Sequence, residues 1–94
     1  MSEASAFLDS VYRLSQLRKY AELEEYISNT FDFMHHAGKH EQIDGVLYNL
    51  DLSKISAKIA RTILYNVNHY ADKLIMVKDF NSRAIDEFGK DSLS

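Results

Sequence analysis

The sequence has no cysteine, no proline, no tryptophan and only three glycines in 94 residues. Without cysteine, disulfides, thiolate metal ligands and a cysteine nucleophile are all excluded, and a reducing compartment is permitted. Without proline and with so little glycine, the chain has few places to interrupt regular structure. No run approaches the ~18 consecutive apolar residues of a membrane span. Positions 1–6 lack the basic stretch and apolar run of a secretory leader. The expectation is a soluble, cytoplasmic protein with no membrane association. Net positive charge is also missing: the formal charge is −3 and the isoelectric point about 5.7. That balance argues against general electrostatic capture of nucleic acid, which relies on a basic excess over the whole domain.

The average hides an asymmetry. Residues 1–46 hold four basic against eight acidic residues, whereas residues 47–94 hold seven against six. Between positions 52 and 78 there are five basic residues and a single acid, Asp72. At 94 residues with 46% hydrophobic content, the chain is expected to form one domain over 1–94, with 89–94 as a flexible polar tail. A chain this short buries only about 60–65% of its unfolded surface, so its core has to be efficient.

Apolar residues recur at helical spacing nearly throughout, and no stretch alternates with period two for long. The fold class expected is all-α: a compact bundle or short α-hairpin array of about five helices. A first helix spans 5–17, burying Phe7, Leu8, Val11 and Leu14, with Leu17 as a further candidate. The joint at Leu17, Arg18 and Lys19 leaves two readings, a tight turn or one continuous helix. A second helix spans 20–36, with Tyr20, Leu23, Ile27, Phe31 and Met34 within about 80° of one another. Gly38 suits a helix end that needs positive φ. A third helix, 40–49, turns Ile43, Val46, Leu47 and Leu50 inward. Gly45 falls on its other face, either as a tolerated surface glycine or where another backbone passes close.

A connector at 50–53 ends in a capping residue. A fourth helix over 54–68 then spreads Ile55, Ile59, Ala60, Ile63, Leu64 and Val67 over about 180°, more than one neighbour can cover. This helix is expected at the centre. A fifth starts near Tyr70, carries Leu74, Ile75, Val77 and Phe80, and either continues past Asn81 and Ser82 or restarts there toward Phe88.

Residues 18–27 and 38–47 each look like the turn and second-helix start of a tetratricopeptide-type hairpin, a family in which a small residue, a ring two positions on and an apolar residue three later pack one helix onto the next. The two copies lie 20 residues apart, against about 34 for that repeat. The repeat's proline is missing, and Leu23 and Ile43 stand in place of its small alanine. These segments are general α-hairpin grammar, and the sequence is assigned to no family.

Among chemistry-bearing residues, His35, His36 and His40 with Asp32, Glu41 and Asp44 form the densest group of potential metal ligands. Gly38 interrupts the i, i+4 histidine spacing, no HExxH-type motif occurs, and no metal or cofactor is expected. The acidic Glu22, Glu24 and Glu25 stand on a solvated face without an apolar pocket to raise a pKa. No phosphate loop or nucleophile motif is present. The chain reads as a non-enzyme with no evident small-molecule substrate.

The strongest positional pattern is Lys54, Lys58, Arg61 and Tyr65, which on a continuous helix fall within about 60° of each other. Such a row faces either solvent, an acidic protein surface or phosphates. Six tyrosines and five phenylalanines either fill a core without tryptophan or furnish an interface. Tyr12, Tyr26, Phe33 and Tyr48 lie at stripe edges, and Tyr26 with Phe33 makes a second candidate patch. The expected function is a protein-interaction module: an adaptor, inhibitor or regulatory subunit binding another protein or itself, of a kind found in bacteria and phages. The alternative is a nucleic-acid-binding regulator using the basic face of helix 4.

Overall fold

The computed structural model of the protein describes residues 3–68 and 74–93. Among these it is all-α: α1 (Glu3–Gln16), α2 (Tyr20–His36), α3 (His40–Asn49), a 3-10 turn (Leu52–Lys54), α4 (Ala57–Val67), α5 (Leu74–Phe88) and a terminal 3-10 turn (Lys90–Leu93). The expected start of the fifth helix near Tyr70 lies outside the described residues.

The joint after α1 is a tight turn. Arg18 adopts φ +56°, its N–H donates to the Ser15 carbonyl at 3.1 Å, and the Lys19 N–H donates to the Leu14 carbonyl at 3.1 Å. This pair of bonds is the Schellman closure. The same closure ends α2, with Gly38 at φ +71° and with Gly38 N–H to His35 O and Lys39 N–H to Met34 O at 3.1 and 2.8 Å. Lys19 and Lys39 then occupy the N-cap positions of α2 and α3, with similar dihedrals. The two hairpin-like segments of the sequence are thus two copies of one turn. Only the second has glycine where the backbone is left-handed.

The apolar stripes meet in one core. Phe7, Leu23, Ile27, Phe31, Ile43, Leu47, Ile59, Ile63 and Phe80 are among its fully buried side chains, and among the described residues no polar or charged residue is buried. Helix α1 lies on α2 and α3, α2 also meets α3 and α4, and α5 closes the ring against α3 and α4. Five of the eleven residues of α4 are buried (Ile59, Ala60, Ile63, Leu64 and Val67). Its wide apolar arc is covered by α2, α5 and the terminal 3-10 turn together. At Gly45, a Cβ would sit 3.5 Å from the Ala4 Cβ, so the start of α1 does pass close. Gln42 Oε1 accepts the Ala4 N–H there at 3.1 Å.

Two sequence expectations need correction, the start of α4 and the place of Ile75, and two further points concern the course of α5 and residues 90–93. Helix α4 starts at Ala57, not at Lys54, because Leu52 and Ile55 are drawn into the core through a 3-10 turn and an extended residue. Ser56 then caps the helix by accepting the Ile59 N–H at 3.3 Å. Helix α5 is continuous through Asn81 and Ser82. Ile75 is 83% exposed: Val77, Phe80 and Ala84 form the buried stripe, and two residues back from Val77 is about 200° around the helix. Residues 90–93, expected as part of a flexible tail, form a turn whose Leu93 packs against the core.

Where α3 ends, tertiary contacts replace the missing helical bonds. The Asp51 N–H, which would otherwise serve Leu47, donates to the Tyr12 hydroxyl from α1 at 2.8 Å. The Leu47 carbonyl instead accepts from the Arg83 guanidinium of α5, which also lies 3.5 Å from the Leu50 carbonyl. Asp79, one turn earlier, is 3.4 Å from Arg83 Nε, and the guanidinium lies 5.6 Å from the Phe80 ring centre.

Two predictions follow from these joints. Arg83→Met should cost about 1.5–3 kcal/mol in urea denaturation, the scale of a charge-assisted bond to a half-buried acceptor, and Tyr12→Phe about 1 kcal/mol; near-zero values for both would remove this junction from the fold's supports. Arg18→Gly should stabilise the protein by about 1 kcal/mol while Gly38→Ala destabilises it by a similar amount. Equal signs for that pair would contradict the left-handed assignment.

Candidate functional site

The four-residue basic row does not survive as a row. Lys54 sits in the 3-10 turn before α4, with its Nζ 5.0 Å from the Tyr12 ring centre. Beside it Asp51 accepts the Ser53 hydroxyl at 2.6 Å and the Ser53 N–H at 3.0 Å. Those two bonds, hydroxyl first, hold the Asp51 carboxyl below the usual carboxylate range, with the Lys54 charge adding to the effect. Tyr12 and Lys54 therefore belong to the connector.

Lys58, Arg61 and Tyr65 remain together on the outer face of α4. Lys58 Nζ lies 3.4 Å from Glu24 Oε1 on α2 and 5.9 Å from the Tyr20 ring centre. Both members of that ion pair are at least 40% exposed, and surface pairs of this kind contribute only about 0–1 kcal/mol. Lys58 is therefore held weakly enough to exchange Glu24 for another carboxylate. Arg61 Nη1 donates to the Ser92 carbonyl of the terminal turn. The Tyr65 side chain projects from the same face and the residue is 69% exposed.

Arg61 and Tyr65 form a ridge between two grooves. One, of about 450 Å³, lies between α4, α5 and the terminal turn; Leu64, Val77 and Leu93 give it an apolar lining, and Arg61, Asn68, Lys78 and Asn81 a polar one. The other, of about 400 Å³, is bounded by Glu24, Lys58, Arg61, Thr62 and Tyr65. Sequence reasoning missed Lys78, Asn81 and Leu93 as neighbours of this face. A single leucine in a polar tail was the available signal for Leu93; the other two depend on how α5 docks.

The aromatic patch divides. Tyr26 is half-buried and stacks on Phe7 of α1, ring centres 5.3 Å apart, so it serves the α1–α2 packing. Phe33, two turns further along α2, is 58% exposed, with Lys39 Nζ 5.4 Å from its ring centre. The histidines do come together at the α2–α3 turn: His35 lies 5.4 Å from His36 and 5.5 Å from His40, ring centre to ring centre. The His36 Nδ1 is 2.9 Å from the Asp32 carbonyl oxygen and 3.3 Å from Asp32 Oδ1. Among the described residues, no group of three His, Cys, Asp or Glu side chains is arranged to hold a metal ion, and no helix is long and apolar enough to cross a membrane.

The Asp51 geometry carries a pH dependence. A carboxyl whose pKa is lowered by folding adds stability that is present above its unfolded pKa and lost as pH falls through the lowered folded value. Asp51→Asn should therefore be less stable than the parent at pH 7, with the two thermal midpoints converging as the pH is taken to about 2, below the usual carboxylate range. A gap that persists unchanged at low pH would assign the effect to something other than the charge.

No protein-family model, no curated protein and no solved structure matches the chain.

Proposed function

We propose that this chain is a protein-interaction module, an adaptor, inhibitor or regulatory subunit acting in the cytoplasm, that docks an acidic partner surface on the outer face of α4. The observation that carries the reading is the ridge of Arg61 and Tyr65 standing between two grooves, one of them lined by Leu64, Val77 and Leu93. Interfaces join an apolar centre to a polar rim and favour tyrosine and arginine at that centre. Lys58, Arg61 and Lys78 set the sign of the rim, which complements carboxylates on a partner. Self-association through the same face is a special case of this reading, with the acidic first half of the chain as the complementary surface.

The nucleic-acid alternative has less behind it. Lys54 has left the row, Lys58 already faces Glu24, and the chain as a whole is acidic.

The test compares affinity capture by the parent protein with capture by Tyr65→Ala and by the Lys58→Glu, Arg61→Glu double variant, with Tyr48→Ala as control because Tyr48 is 72% exposed elsewhere on the surface. The expected result is one partner protein retained by parent and control and lost by both α4 variants, with all four melting cooperatively, Tyr65→Ala and the control within the ~0.5 kcal/mol typical of surface changes and the double variant lower by the Ser92 and Glu24 contacts it gives up. Retention by Tyr65→Ala, or capture of nucleic acid whose binding falls steeply with salt, would overturn the proposal.

A further inference from the structure

The groove between α4 and α5 is bordered by residues 90–93 of the same chain. After Gly89, at φ +87°, the chain turns back and Lys90–Leu93 lies against both helices as a 3-10 turn. Two features of its hold face the groove. Leu93, half-buried, packs against the core beside Leu64 and Val77, and Arg61 donates to the Ser92 carbonyl. None of the four residues is buried. At the groove, one leucine contact and one charge-assisted bond are set against the entropy of ordering four residues.

Each of these two features is one that an external peptide can supply. An apolar side chain can take the place of Leu93, and any peptide carbonyl can accept from Arg61. The basic rim of Arg61 and Lys78 favours an acidic residue beside that side chain, which is the pattern of Asp91, Ser92 and Leu93 in the chain itself. We propose that the terminal turn is an internal ligand of this groove, and that a partner binds by displacing it with an acidic segment carrying a leucine. The partner half of this inference rests on the α4 reading above. The internal-ligand half does not, since it can be tested without a partner.

The experiment uses full-length protein labelled at leucine and valine methyls, as parent and as Leu93→Asp, titrated with the acetylated and amidated tetrapeptide of residues 90–93. In Leu93→Asp, the Leu64 and Val77 methyl resonances should move from their parent positions while the melt stays cooperative. Added peptide should return them saturably toward the parent positions. The parent should bind the peptide roughly tenfold or more weakly, because its own turn competes, and Arg61→Gln in the Leu93→Asp background should weaken peptide binding roughly tenfold. Unmoved methyls in Leu93→Asp, loss of its cooperative melt, no peptide binding to it, or equal binding by both proteins would each overturn the proposal. Peptide binding together with partner capture that ignores Tyr65 would instead overturn the α4 reading and leave the internal ligand standing.

Discussion

Helix α3 ends with a carbonyl that has lost its helical partner, and the Arg83 guanidinium takes it. The loss follows from the extended Leu50, at ψ +125°, which turns the next N–H away from the helix. The Asp51 N–H donates instead to the Tyr12 hydroxyl, and a polar backbone group left without any partner in a protein interior costs about 1–3 kcal/mol. One short stretch of chain is therefore satisfied from two directions, by α1 and by α5, and those are the outermost helices of the described sequence. Burial supplies most of the energy of folding, but burial is non-directional. The bonds at this junction are directional, and they set where α5 lies against α3. That placement brings Val77 and Lys78 beside α4 and opens the larger groove there.

Much of this was legible in the sequence where the signal was local. The bounds of α2 and α3 follow from apolar periodicity and from a glycine at the second left-handed position, and the shared turn shows in the matching Lys19 and Lys39, Tyr20 and His40, and Leu23 and Ile43, although Arg18 left a continuous helix open. Legibility failed where two local signals competed. Ser53 and Ser56 are both good caps, and the core's demand for Leu52 and Ile55 decided in favour of the later one, which took Lys54 off α4. At Ile75, the first turn of α5 offers apolar residues on opposite sides, and only docking selects the Val77 side. The junction at Leu47 and Asp51 was not legible at all, because Tyr12 and Arg83 lie more than thirty positions away from it in the chain and neither carries a local mark of that role.

The candidate face shows folding and recognition drawing on the same side chains. Arg61 secures the terminal turn and lines both grooves; Lys58 neutralises Glu24 and bounds one of them. Such contacts are weak because they are exposed, and weak contacts are the ones a partner can exchange at little cost. Tyr26 and Tyr12 went the other way: their rings are spent on Phe7 and on the connector, which leaves Phe33 and Tyr48 as the exposed rings of that group.

Amide hydrogen exchange at Asp51 tests the central claim most directly. If Tyr12 and Arg83 together close the end of α3, the Asp51 N–H should exchange far more slowly than in an unstructured peptide, in the same class as the Leu50 N–H that donates to Val46, although Asp51 lies in an exposed connector. Exchange of Asp51 at the unprotected rate, in a protein whose α3 amides remain protected, would show that the junction is open and would contradict the account.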